Sequence, residues 1–76
     1  MKLENFLENF AAEFVDTPAN QITFDTDYKS LGEWDSLMAL TIISMVDEKY
    51  GLRITGNELR SCQSVRDLHD LVATLK

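Results

Sequence analysis

The chain has 76 residues, 45% of them hydrophobic, and a formal charge of −6 from 13 acids against 7 bases. That length supplies one domain, residues 1–76, with little material for both a core and a deep catalytic pocket. Its acidity opposes binding to nucleic acid or anionic lipid and favours basic patches on other proteins. The single Cys62 excludes an intramolecular disulfide, and one Cys with one His cannot build a four-ligand zinc site. The opening Met1-Lys2-Leu3-Glu4-Asn5-Phe6, with its acids and no long apolar run, is expected to be neither a signal nor a transit peptide. No run approaches the roughly 20 apolar residues that span a bilayer. A soluble, cytoplasmic monomer without membrane insertion or metal is expected.

Leu3, Phe6, Leu7, Phe10, Ala11 and Phe14 recur at intervals of three and four, the stripe of an amphipathic helix. The spacing carries this first helix to Thr17-Pro18, where proline disfavours helical backbone in the residue before it. Residues 16–34 read as a long connection rich in turn and cap formers, with Ile22, Phe24, Tyr28 and Leu31 scattered through it. Ile22 and Phe24 alternate as in a short strand, but nothing else in the chain would pair with one. Asp25-x-Asp27 fails as a calcium loop, since the sixth and twelfth positions are Ser30 and Ser36 rather than Gly and Glu.

A second helix runs from about Asp35 to Tyr50 and stops at Gly51. Thr55-x-x-Glu58 is a capping-box pattern that opens a short third helix, Gly56 to about Arg60. Ser64-x-x-Asp67 opens a fourth, with Val65, Leu68, Leu71, Val72 and Leu75 inward. The fold class is therefore all-α: a four-helix bundle with three main helices, one short third helix and a long loop between helices 1 and 2.

The second helix has two apolar faces. At about 100° per residue, Ala39, Ile42, Ile43, Val46 and Tyr50 form the expected core stripe. Leu37 and Leu40 point the other way, with Met38 and Met45 on the flanks. The outward candidates for partner contact are Leu37, Met38, Leu40, Thr41, Asp47 and Glu48. The alternative is that the loop folds over these apolar groups.

Leu31-Gly32-Glu33-Trp34-Asp35-Ser36-Leu37 stands at the head of this helix. Gly32 suits a sharp turn, Asp35 is a good cap, and Ser36 enters the first turn. A serine there has an accessible hydroxyl, and the adjoining amides and helix dipole favour an attached phosphate.

With those residues the chain resembles an acyl carrier protein, and Asp35-Ser36-Leu37 resembles that family's Asp-Ser-Leu signature. The likeness extends over essentially all 76 residues through Gly51, Ile54, Val65 and Leu68. It implies that Ser36 receives 4′-phosphopantetheine from coenzyme A through a separate Mg²⁺-dependent transferase, with Asp35 helping to bind the metal and orient the hydroxyl. The arm's terminal thiol would hold acyl cargo as a thioester. The implied partners are the transferase and acyl-loading or acyl-transferring enzymes with basic or apolar docking surfaces, and no catalysis by the chain itself. Asp47 and Glu48 keep part of the acidic second helix of fatty-acid carriers, but Met38, Thr41, Ser44 and Met45 occupy positions where acids or other groups are often seen. Glu33-Trp34 stands where small residues are usual, and these departures point to a dedicated pathway rather than housekeeping fatty-acid synthesis. Two alternatives remain: a peptidyl or aminoacyl carrier, and an unmodified helical adaptor using the Leu37–Leu40 patch.

His69 reads as a half-buried structural residue and Cys62 as a small buried apolar one. Trp34 either packs under the loop or shields the arm. Ser36 and His69 lack the elbow and the third orienting residue of a hydrolase.

Overall fold

The computed structural model describes residues 2–75. Its first helix, α1 (Leu3–Ala12), buries Phe6 and Phe10 completely and Ala11 almost so. Each such phenylalanine contributes on the order of 1.5–3 kcal/mol by leaving water. The helix ends five residues before the Thr17 stop expected from proline. Glu13 becomes its C-cap and Phe14 N–H turns back to the Ala11 carbonyl at 3.1 Å. A further α-helical turn would need the amides of Val15 and Asp16, and both donate instead to the Glu33 carboxylate. A distant side chain thus stops the helix before the proline acts.

The connection from α1 to the next helix is ordered packing rather than open loop. It contains two 3₁₀ turns, Ala19–Gln21 and Tyr28–Ser30, and buries Ile22 and Tyr28. The described residues contain no strand. The Phe24 and Thr26 carbonyls instead accept the amides of Arg66 at 2.8 Å and Val65 at 3.3 Å. Those amides belong to the first turn of the last helix, where no intrahelical acceptor exists. The loop is therefore stitched to a helix end.

Helix α2 (Ser36–Tyr50) starts at the Asp35 cap and stops at Gly51, whose φ of 67° is the left-handed conformation that glycine adopts readily. Its buried residues are Met38, Ile42, Met45 and Val46. Met38, expected at the partner surface, is a core residue, and Met45 has moved from flank to core with it. Ala39, Ile43 and Tyr50 are only half-buried. The helix is apolar on too many sides for its period to choose the inner one. Tertiary neighbours chose, turning the stripe toward Met38 and leaving Ala39 and Ile43 facing α3 (Gly56–Ser61). Leu37 and Leu40 do remain outside, 71% and 61% exposed, so the loop does not cover them.

Helix α3 opens on the complete capping box: Glu58 N–H donates to Thr55 Oγ1 at 3.1 Å, and Thr55 N–H to Glu58 Oε1 at 2.9 Å. Helix α4 (Val65–Thr74) opens on a shifted version. Asp67 N–H donates to Ser64 Oγ at 3.2 Å, while the Asp67 carboxylate accepts from Gln63, one residue before the cap. Val65, Leu68 and Val72 are buried as expected, and Leu71 is half-buried. Leu75, expected inward, lies past the helix end and is 40% exposed.

Cys62 is buried, and burial pushes its thiol up from the ordinary value. His69 packs edge-on against Phe6 at 5.7 Å, with Nδ1 3.0 Å from Asp70 Oδ1. No helix among the described residues is long and apolar enough to cross a membrane.

Candidate functional site

The segment leading into α2 is held by three kinds of contact. Trp34 N–H closes a turn onto the Leu31 carbonyl at 3.0 Å. Gly32 lies inside this turn without a positive φ, and a Cβ there would meet nothing within 4 Å. The turn expected at Gly32 is present, and its backbone is open to other residues. Next, the Glu33 carboxylate accepts Val15 N–H at 2.8 Å, Asp16 N–H at 3.0 Å and the Thr17 hydroxyl at 2.9 Å. Burial alone pushes this carboxyl up, but the Val15 amide, the Thr17 hydroxyl and the Asp16 amide outweigh it and hold it below the ordinary value.

Trp34 then stacks on Phe14 at 6.3 Å and meets the Tyr28 ring at 4.9 Å. Phe10 touches both Phe14 and Tyr28, so an aromatic chain links α1 to the residue two before Ser36. Trp34 accordingly packs against the loop and also lines the neighbouring cleft. Tyr28 is fully buried and its hydroxyl donates to the Leu59 carbonyl of α3. Burial, then Cys62 beside it, pushes its pKa well above the ordinary phenol value.

On this support Asp35 adopts extended backbone, and its Oδ1 accepts Met38 N–H at 2.8 Å. Ser36 is the first helical residue and is exposed. Side chains at such a position reach solvent, and an anion on the hydroxyl would meet the positive end of the helix. The pair expected from the sequence, Asp35 and Ser36, is thus brought together as cap and first-turn hydroxyl.

Beside them is a cleft of about 520 Å³ between α2 and α3. Ala39, Leu40 and Ile43 form one wall, Gly56, Leu59 and Arg60 the other, and Trp34, Asp35 and Ser36 complete it at the α2 N-terminus. Its surface is mainly carbon, with Asp35 and Arg60 the ionic groups in the lining. The sequence reading missed the roles of Glu33 and Arg60. A glycine one turn before an arginine was the available signal for the second, and the first had none.

The remaining partner candidates separate. Leu37 and Leu40 stand beside Ser36 on the same end of α2. Thr41 is half-buried and its hydroxyl donates back to the Leu37 carbonyl at 2.9 Å. Asp47 and Glu48 are exposed but lie about 17 Å further along the helix axis. Among the described residues no cluster of three His, Cys, Asp or Glu side chains could hold a metal ion.

Comparison with known proteins adds two findings. Residues 5–72 match the family model described as the phosphopantetheine attachment site. The chain is also similar to a curated protein named polyketide-8 synthase acyl carrier protein 2, from Streptomyces avermitilis. The two are 31% identical over 68 residues, covering 90% of this chain and 78% of that protein. No solved structure matches.

Proposed function

The chain belongs to the phosphopantetheine-attachment family, the acyl carrier proteins, and from that premise we propose that Ser36 carries the arm in a dedicated biosynthetic pathway of the polyketide kind. The carrying observation is an exposed serine at the first position of a helix, capped by Asp35, inside the matched region. In this family the 4′-phosphopantetheine arm is covalent and supplies a thiol that holds acyl groups as thioesters. The chemistry on the cargo belongs to other enzymes; this chain is a carrier.

Ser36 Oγ attacks the phosphorus of coenzyme A that bears the pantetheine. A new P–O bond forms, the phosphoanhydride bond breaks, the nucleotide bisphosphate leaves, and the serine proton passes to a base on the transferase. Asp35 keeps one carboxylate oxygen on the Met38 amide, which orients the side chain next to Ser36. We assign it the further task of meeting the transferase's Mg²⁺. One core joins all four helices and the loop, which supports reading the chain as a single carrier domain.

Partner enzymes are proposed to dock on the exposed Leu37 and Leu40, with Thr41, Asp47 and Glu48 along the same helix. Met38 leaves that set because it is buried. The polyketide assignment is supported by the name of the 31% identical relative and by the apolar rather than acidic start of α2.

Intact mass after incubation with coenzyme A, Mg²⁺ and a broad-specificity transferase tests Ser36. One arm is added to the wild type and none to Ser36→Ala. An unchanged wild-type mass would favour the adaptor reading, which the exposed Leu37 and Leu40 support. Replacing a fatty-acid carrier with this chain in a reconstituted fatty-acid synthase tests the pathway; full activity would defeat the dedicated role.

A further inference from the structure

The molecule is acidic, with a net charge of −6, and Asp35 adjoins the proposed anchor. A phosphodiester on Ser36 adds another negative charge there, so its orientation depends on where a cation can reach it. Arg60 lines the same cleft as Ser36, from the α3 side. Its guanidinium is held at one corner, where an Nη2 hydrogen bond reaches Asn57 Oδ1. It also lies against the bare Cα of Gly56, since a Cβ on that residue would stand 3.4 Å from Nη1. Asn57 is neutral, so the hold orients the group without cancelling its charge.

Two other cations are engaged elsewhere. Lys29 Nζ donates to the Arg60 carbonyl at 2.6 Å, and Arg66 pairs with Asp25 at 3.4 Å while lying over Phe24. The Arg66–Asp25 ion pair and the His69–Asp70 contact do not involve Arg60. A guanidinium has five donors, and the one on Asn57 leaves N–H groups for a two-pronged contact with phosphate oxygens.

Resting on Ser36 as the anchor, we infer that Arg60 is the resident counter-ion of the arm's phosphodiester, drawing the arm across the α2–α3 cleft instead of away from the protein. Arg60 is exposed, so solvent screens the pair. An exposed ion pair favours its closed form by about 1.5- to 5-fold. That is weak enough for a partner's own cations to displace it, as a carrier that must release its arm requires.

The test loads wild type, Arg60→Gln and Arg60→Lys with the transferase and first records intact mass. Equal addition of one arm is expected in all three. Failure in all three defeats Ser36 as the anchor, and this inference with it. The ³¹P resonance of the loaded proteins then reads Arg60 itself. In the wild type the line is displaced and broadened at low salt and relaxes to a free value at high salt. Arg60→Gln sits at the free value throughout, and Arg60→Lys recovers part of the displacement as a point charge. Identical ³¹P shift and relaxation in wild type and Arg60→Gln at low salt would overturn the inference. Should those lines coincide while the KM of an acyl-transferring partner rises, Arg60 contacts the partner rather than the arm, and the inference again falls.

Discussion

The Glu33 carboxylate accepts the Val15 amide at 2.8 Å, joining the end of α1 to the turn before Ser36 across 18 residues of sequence. Asp16 and Thr17 donate to the same carboxylate, so one side chain ends a helix and fixes the approach to the proposed anchor.

Glu33→Ala is expected to release the 15–17 turn, with faster hydrogen exchange at the amides of Val15 and Asp16 and little change at α4. The carboxyl is held below its ordinary 4.5 because the fold favours the charged form. Its contribution is present above that value and lost as pH falls through the folded-state value. The protection of the Val15 amide, its exchange measured against the intrinsic rate at the same pH, should therefore fall on acidification below about pH 4.5, and Glu33→Gln should flatten this dependence. Unchanged exchange in the alanine variant would refute the clip.

Tyr28→Phe removes the hydroxyl that donates to the Leu59 carbonyl in the core. The lost bond and the unsatisfied carbonyl cost about 1–3 kcal/mol, read by urea denaturation. Burial raises the Tyr28 ionisation above the unfolded value of 10.0, so the neutral form is favoured in the fold. Stability from this group is complete below that value and declines as pH rises past it. Tyr28→Phe should lessen the alkaline decline in thermal midpoint; an equal decline in both proteins would contradict the assignment.

Met38 and Leu37 are adjacent in sequence and opposite in consequence. Met38→Ala opens space in the core and should cost roughly 2 kcal/mol or more. Leu37→Ala, at an exposed position, should change stability by less than about 0.5 kcal/mol. Its expected effect is a raised KM with an acyl-transferring partner. Equal destabilisation by the two substitutions would mean that the buried face of α2 is not the one described.

Gly51→Ala tests backbone strain alone, because nothing lies within 4 Å of the added methyl while φ is 67°. The cost should be about 1–2 kcal/mol, as for a left-handed non-glycine residue. A neutral result would require the helix to end elsewhere, visible as a shift in amide protection near Asp47.

Much of the site was legible because its determinants are local. Asp35 caps α2 through an amide three residues on, and Thr55 and Ser64 do the same for α3 and α4. The turn expected at Gly32 is present, closed by the Trp34 amide on the Leu31 carbonyl, though without the positive φ that would require glycine.

Short-range hydrogen bonding and apolar period, written in the residues themselves, determined the four helices, their caps and an exposed serine at the head of α2. Only the folded chain decided where α1 stops, which side of α2 is buried, and that Arg60 lines a cleft with Ser36. The stop depends on a carboxylate 18 residues away. The rotation of α2 depends on which neighbours fill the core when either side of the helix is apolar enough to do so. The cleft exists because α2 and α3, separate in sequence, leave a gap between them. Contacts of that kind have no signature at the spacing of a helical turn, so they emerge only when distant segments meet.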